Sequence, residues 1–188
     1  MNREEARNIL LKYYNEESDL FRLLWRHSLQ VAEKSLYIAT HISEVVDLEF
    51  VYAAALLHDI GIFKTHAPSI YCVGEEQYIK HGIIGAELLR NEGLEEYARV
   101  CERHTGAGLS KAEIIKQGLP LPVRDFLPET IEEQIICYAD KFYSKSNPDE
   151  EKSFCQARRS MEKFGEEQLR RFDAMKMRFM ENCPGFSD

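Results

Sequence analysis

Apolar residues recur at spacings of three and four along most of the chain, the period of a helix with one buried face. Leu20, Leu23, Leu24, Val31, Leu36 and Ile38 follow it within 18–43, and a shorter stretch over 4–14 does the same. Asp47 is placed to cap a third helix that runs through Val51, Ala54, Ala55 and Leu57 and stops near Gly61. Two more helices are predicted over 78–91 and 94–104, ended by Gly93 and Gly106. Ser110 and Glu113 have the spacing of a capping box and open a short helix. Another helix starts at 128–130 and passes through Ile135, Ile136 and Ala139 to about Lys145. A last one is predicted over about 148–181, with Pro148 in its first turn. The stripe Phe154, Ala157, Met161, Phe164, Phe172, Met175 and Phe179 reads as its core-facing side.

Between these elements, 65–74 holds Pro68, Ser69 and Gly74 and reads as a loop, as does 118–128 with Pro120, Pro122 and Pro128. There is no internal repeat, no low-complexity tract and no long strand-period segment. The pattern predicts an all-α single domain over 1–188.

Composition narrows the function. The 188 residues are 44% hydrophobic and 30% charged, a globular balance. The longest apolar run, 50–57, is far short of the roughly 20 residues that span a membrane. Lys+Arg 24 against Asp+Glu 32 gives a net charge of −8, so no duplex nucleic-acid surface is expected. A local cationic pocket for a small anion remains compatible with that charge. The opening Met1-Asn2-Arg3-Glu4-Glu5 reads as helix rather than as an export signal. The five cysteines, Cys72, Cys101, Cys137, Cys155 and Cys183, form no CxxC clip. Reduced thiols and a cytoplasmic location are therefore expected.

The chemistry concentrates in His27, His58, Asp59, His81, His104 and Asp140. Successive separations are 31, 23, 23 and 36 residues (27 to 58, 58 to 81, 81 to 104, 104 to 140), each about one helix plus a connection. Each side chain would then arrive from a different helix, as bundles build metal sites. His58 and Asp59 follow directly on an apolar run, where an unpaired carboxylate is costly and a metal removes the cost. Adjacent side chains diverge in mid-helix, and Gly61 implies that the helix is ending where both can reach one ion. His41 and His66 read as solvated surface, Trp25, Tyr13 and Tyr14 as core or interface aromatics, and Asp149-Glu150-Glu151 as a charged helix start.

These residues resemble the HD-domain superfamily of metal-dependent phosphohydrolases. The resemblance rests on His27, on Leu56-Leu57-His58-Asp59-Ile60-Gly61 and on Tyr138-Ala139-Asp140, with His81 and His104 matching the extra histidines of the two-metal subset. It covers about 20–145. Through Arg103-His104-Thr105-Gly106-Ala107-Gly108-Leu109 and Leu127-Pro128-Glu129-Thr130 the chain is also similar to a smaller HD group of uncharacterised proteins. No Gly-Tyr-Pro motif of the cyclic-dinucleotide phosphodiesterase branch is present, and 70–78 lengthens the loop between Asp59 and His81.

The resemblance implies a compact bundle of about seven to eight helices, with the C-terminal helix packed on the motif core. It implies one metal held by His27, His58, Asp59 and Asp140, and a second by His81 and His104 with Asp59 bridging. Imidazole and carboxylate without thiolate suit Fe, Mn, Ni, Co or Zn. The implied reaction is hydrolysis of a nucleotide or other small phosphate ester by a metal-activated hydroxide, with His58 and Asp59 as catalytic residues. Arg26, Lys64, Arg103, Arg124, Lys141 and Lys145 are basic residues available to the phosphate. Lys64, five positions past Asp59, is the first choice for substrate binding, followed by Ser144, one turn after Asp140, and Lys141. An HD-type di-iron oxygenase and a non-catalytic nucleotide-binding module are the alternatives.

Overall fold

A computed structural model describes residues 1–180 of the chain. Among them are nine α-helices and one two-stranded hairpin. The first helix, α1 (Arg3–Leu11), opens on a capping box between Asn2 and Glu5. Ser18 caps the long α2 (Asp19–His41), and Asp47 caps α3 (Leu48–Leu57) as its spacing predicts. Next come α4 (His81–Asn91), α5 (Glu95–Arg103) and α6 (Lys111–Gln117), the last with the Ser110/Glu113 capping box in place. Thr130 and Glu133 box the start of α7 (Ile131–Asp140). The segment predicted as one C-terminal helix is two, α8 (Phe154–Met161) and α9 (Glu166–Met180).

The centre is α2 packed on α3 and α7, with α4 and α5 paired beside α3. Leu24, Val31, Ile38, Leu56, Leu57, Ile135 and Ile136 are fully buried in one continuous core. The stripe predicted at the C-terminus joins it, because Phe172 and Phe179 pack on Tyr138 of α7. A satellite core of Leu109, Ile114 and Phe126 sits under the proline-rich 118–128 loop, which Leu109 and Phe126 tie down by mutual backbone hydrogen bonds.

Four boundaries differ from expectation. The seventh helix ends at Asp140 rather than Lys145, so Ser144 sits in a turn and bonds Ser146 instead of sharing a helical face with Asp140. The eighth begins at Phe154, because Ser153 and Gln156 supply the capping box that Pro148 does not. Asp149, Glu150 and Glu151 therefore precede the helix and face Arg26, Asn147 and Lys34 individually. At Gly165 the backbone takes φ +99, a conformation that L side chains rarely adopt, and this breaks the predicted single helix. The helix predicted from 78 starts as a 3-10 turn, Tyr78–Lys80. The loop after Lys64 contains a hairpin, β1 (His66–Ala67) against β2 (Cys72–Val73), antiparallel with His66 opposite Val73.

Candidate metal centre

The His58-Asp59 pair occupies the end of α3, and a close backbone approach places it next to α4. A Cβ at Gly61 would fall on the carbonyl oxygen of His81 and 2.5 Å from the backbone nitrogen of Gly85. The helix ends at Leu57, near Gly61 as expected, but Gly61 has φ −83, open to any residue, so it is not a left-handed cap. Its work is to let two segments touch. The same turn is held from the segment that follows α1, since the buried Tyr14 hydroxyl donates to the Ile60 carbonyl at 2.7 Å.

The structure brings all six predicted residues together. Their donor atoms fall into two groups that share Asp59: His27, His58, Asp59 and Asp140, and Asp59, His81 and His104, each within 4.8 Å. On one side, Asp59 Oδ2 lies 3.3 Å from His27 Nε2 and 3.0 Å from His58 Nε2. His27 Nε2 is 3.0 Å and His58 Nε2 3.5 Å from Asp140 Oδ1. On the other side, Asp59 Oδ1 is 3.5 Å from both His81 Nε2 and His104 Nε2.

Three rings are aimed by their own backbone. His58 Nδ1 meets the Ala55 carbonyl at 2.6 Å, His81 Nδ1 the Tyr78 carbonyl at 2.6 Å, and His104 Nδ1 the Cys101 carbonyl at 2.7 Å. A carbonyl only accepts, so Nδ1 carries the proton and Nε2 offers a lone pair to the centre. Two such lone pairs, on His81 and His104, face each other at 3.0 Å. Neither Asp59 oxygen accepts a hydrogen bond of good geometry although both are fully buried, and His58 Nε2 is likewise unpartnered. Converging imidazoles around a carboxylate at zero exposure that has no hydrogen bond of good geometry and is countered by the Lys145 ammonium fit a bound cation. With four imidazoles, two carboxylates and no thiolate, the donor set suits a divalent transition metal.

Without an ion the carboxylates act on the ring nearest them: burial pulls the His58 pKa down, but Asp59 and Asp140 outweigh it and set it at about 9, so a cation would have to displace a proton from His58 Nε2. Burial, reinforced by His104, lowers His81 to about 3. For Asp59, burial is overcome by His58 and Lys145, which hold the carboxyl well below the usual range; Asp140 is held low by Lys141, His27 and His58.

The family model of the HD domain matches residues 24–144. The chain belongs to the HD-domain family. An uncharacterized protein of Methanocaldococcus jannaschii is 42% identical over 118 residues, 61% of this chain and 62% of that protein. A protein of Picrophilus torridus named tRNA (cytidine(56)-2'-O)-methyltransferase is 36% identical over 143 residues, 72% of this chain and 38% of that one. A protein of the same name from Thermoplasma volcanium is 37% identical over 122 residues, 64% and 32% respectively. The chain thus spans less than two thirds of each of these relatives. No solved structure matches.

Above the HD centre opens a cavity of about 540 Å³, lined by His81, His104 and Asp140 at its floor. The predicted substrate residues separate here. Lys141 and Ser144 line the cavity, with Lys141 Nζ 3.1 Å from the His104 carbonyl and 2.5 Å from Asp140 Oδ2. Lys64 does not line it. This lysine ends a 3-10 turn, Ile62–Lys64, whose backbone is locked to Gly74 and Glu76 through neighbouring hydrogen bonds, and its side chain is exposed. Arg26, Arg103 and Arg124 are engaged with Asp149, Glu129 and Glu102.

The lysine that reaches the centre is Lys145, paired with Asp59 and 3.2 Å from His27 Nε2. The Asp59 charge more than offsets burial and raises its pKa. Its signal in the sequence was only proximity to Asp140. The lengthened loop reaches the cavity mouth, where Ala67, Ser69 and Ile70 join its wall. Tyr14 and Tyr78 gave no signal that separates them from core aromatics. His41 and His66 are exposed, as their positions suggested. The described cysteines are free: Cys72, Cys101 and Cys137 buried and Cys155 exposed; Cys183 lies outside the described residues. No helix among the described residues is long and apolar enough to cross a membrane.

Proposed function

We propose that the chain is a metal-dependent phosphohydrolase acting on a nucleotide or other small phosphate ester, with two divalent cations sharing Asp59. The observation that carries this reading is the placing of the Asp59 carboxylate: fully buried, and turned with Oδ2 toward His27 and His58 and Oδ1 toward His81 and His104, with Lys145 as its countercharge. His27, His58, Asp59 and Asp140 would hold one ion, and Asp59, His81 and His104 the other. Bound divalent cations supply Lewis-acid polarisation of phosphoryl oxygens and lower the pKa of coordinated water.

The protein's own groups do the rest. Lys141 and Lys145 bring positive charge to the floor, where negative charge gathers on a phosphoryl group under attack. Asp59, held anionic at neutral pH, would orient the attacking water. Ser144 offers a hydroxyl to a bound phosphate on the wall of the cavity. Methyl transfer, named for two relatives, is not carried over, because this chain corresponds to 38% and 32% of those proteins and contributes a His–Asp cluster.

The test is phosphate release from a nucleotide panel by the chain loaded with Fe, Mn, Ni, Co or Zn, under air and under nitrogen. Metal-dependent release that is indifferent to oxygen is expected. Oxygen consumption without phosphate release would replace this reading with an HD-type oxygenase, and inertness with retained nucleotide binding would leave a binding module.

A further inference from the structure

Four lysines line the cavity, Lys141, Lys145, Lys152 and Lys163, and Asp140 is the one carboxylate among its lining residues. Two of the four are neutralised at the floor, Lys145 by Asp59 and Lys141 by Asp140. The other two are not. Lys152 Nζ finds only the Lys141 carbonyl at 3.5 Å, and Lys163 Nζ lies over the Phe164 ring at 4.9 Å. Among the described residues neither has a carboxylate partner.

This is unexpected in an acidic protein, and the acids closest in sequence make it more so. Asp149, Glu150 and Glu151 immediately precede Lys152, yet they bond Arg26, Asn147, and Lys34 with Tyr143, and none of them lines the cavity. Lys152 is half-buried, held there by its backbone N–H to the Phe142 carbonyl at 2.8 Å. Its pKa is lowered, first by burial and then, against the pull of Asp140, by repulsion from Lys141, Lys163 and Lys145. Like charges gathered in a half-enclosed space call for an anion. Met161 and Phe164 line the same cavity and add apolar surface suited to the body of a ligand.

We propose that Lys152 and Lys163 form a second anion subsite, so that the cavity selects a nucleotide carrying at least two phosphoryl groups. One group sits at the metal centre and another at these lysines. The inference rests on the phosphohydrolase reading for what happens at the floor, but the subsite belongs to residues outside the 24–144 match. The family's domain supplies the reactive centre, and the segment after it sets which substrate is held.

Calorimetric titration of the full chain with adenosine 5′-monophosphate, adenosine 5′-diphosphate and adenosine 3′,5′-bisphosphate tests this, with and without Mn²⁺. At least one of the two doubly phosphorylated probes should bind about tenfold more tightly than the monophosphate, the worth of a charge-assisted contact. In the Lys152→Gln/Lys163→Gln variant that preference should shrink to about twofold or less with monophosphate affinity unchanged. Lys163→Glu, at an exposed position where folding is not at stake, should weaken the preferred probe beyond the Lys163→Gln variant. A preference intact in the double variant, or no preference in the natural chain, overturns the proposal. Binding is read separately from turnover: no preference in the natural chain while it still releases phosphate counts against the subsite alone, and a preference in the natural chain without phosphate release counts against the phosphohydrolase reading alone.

Discussion

The floor and the rim of the cavity are built on opposite principles. At the floor every charge faces another: Asp59 meets two histidine groups and Lys145, and Asp140 meets His27, His58 and Lys141. Its residues come from the ends or interiors of α2, α3, α4, α5 and α7, wedged into the main core. The rim is made by the turn after α7 and by α8 with its 3-10 extension, and its lysines stand without carboxylates. A closed floor holds an ion in a fixed place; an open rim leaves charge to be met by a ligand. In the proposed function the first would serve reaction and the second selection.

The strongest way to break this contrast is at Asp59. Asp59→Asn keeps the shape but removes the shared charge, so the bound metal should fall toward zero per chain and phosphate release by about a thousandfold or more. Elemental analysis beside a turnover assay reads both, and unchanged metal content would refute the assignment. Gly61→Ala comes next. Its Cβ meets backbone, not a flexible side chain, so α4 must shift away from α3 at a cost of about 1–3 kcal/mol. Thermal unfolding measures that loss, and metal retention should drop as His81 moves from Asp59.

A third test uses pH on the chelated protein. His81, at about 3, is neutral when folded, so the unfolded chain binds the extra proton between there and 6.5, and stability rises with pH across that window. His58, raised to about 9, acts oppositely: its contribution is complete below 6.5 and lost as pH climbs through 9. Thermal midpoints of the metal-free chain should therefore peak near pH 6.5. Metal loading, which needs neutral His58, should move the maximum upward, and a peak that ignores metal would separate these histidines from the ion. The smallest effect belongs to Lys64→Ala, which should leave turnover unchanged and stability within about 0.5 kcal/mol, because the side chain is exposed outside the cavity. A large loss of activity there would restore Lys64 to the site.

The floor was legible in the sequence because its residues are rare types at helix-length spacings, and helix periodicity converts spacing into convergence. His27, His58, Asp59, His81, His104 and Asp140 meet for that reason. The rim was not legible. Lys152 and Lys163 are common surface residues, and their importance depends on where the acids beside them point, which no periodicity encodes. Lys64 misled for a related reason: closeness in sequence to Asp59 says nothing of direction once a 3-10 turn and a hairpin intervene. The C-terminal stripe kept its buried face across the break at Gly165, since Met161 and Phe172 both remain in the core even though the helix does not continue between them. Capping chemistry at Ser153 decided the start of α8 over a proline five residues earlier.

The three histidines that bond carbonyls in their own preceding turn have a consequence for how much disorder an ion must remove. A ring that could rotate freely would lose that freedom at the moment of capture, about 0.5–1.5 kcal/mol for each immobilised side chain. Here His58, His81 and His104 give it up when their local turns form, before any ion arrives. The loss falls on the folding of the chain, and the affinity of the centre is spared it. His27, with Nδ1 unpartnered, is the one imidazole of the floor whose orientation depends on its neighbours across the cluster.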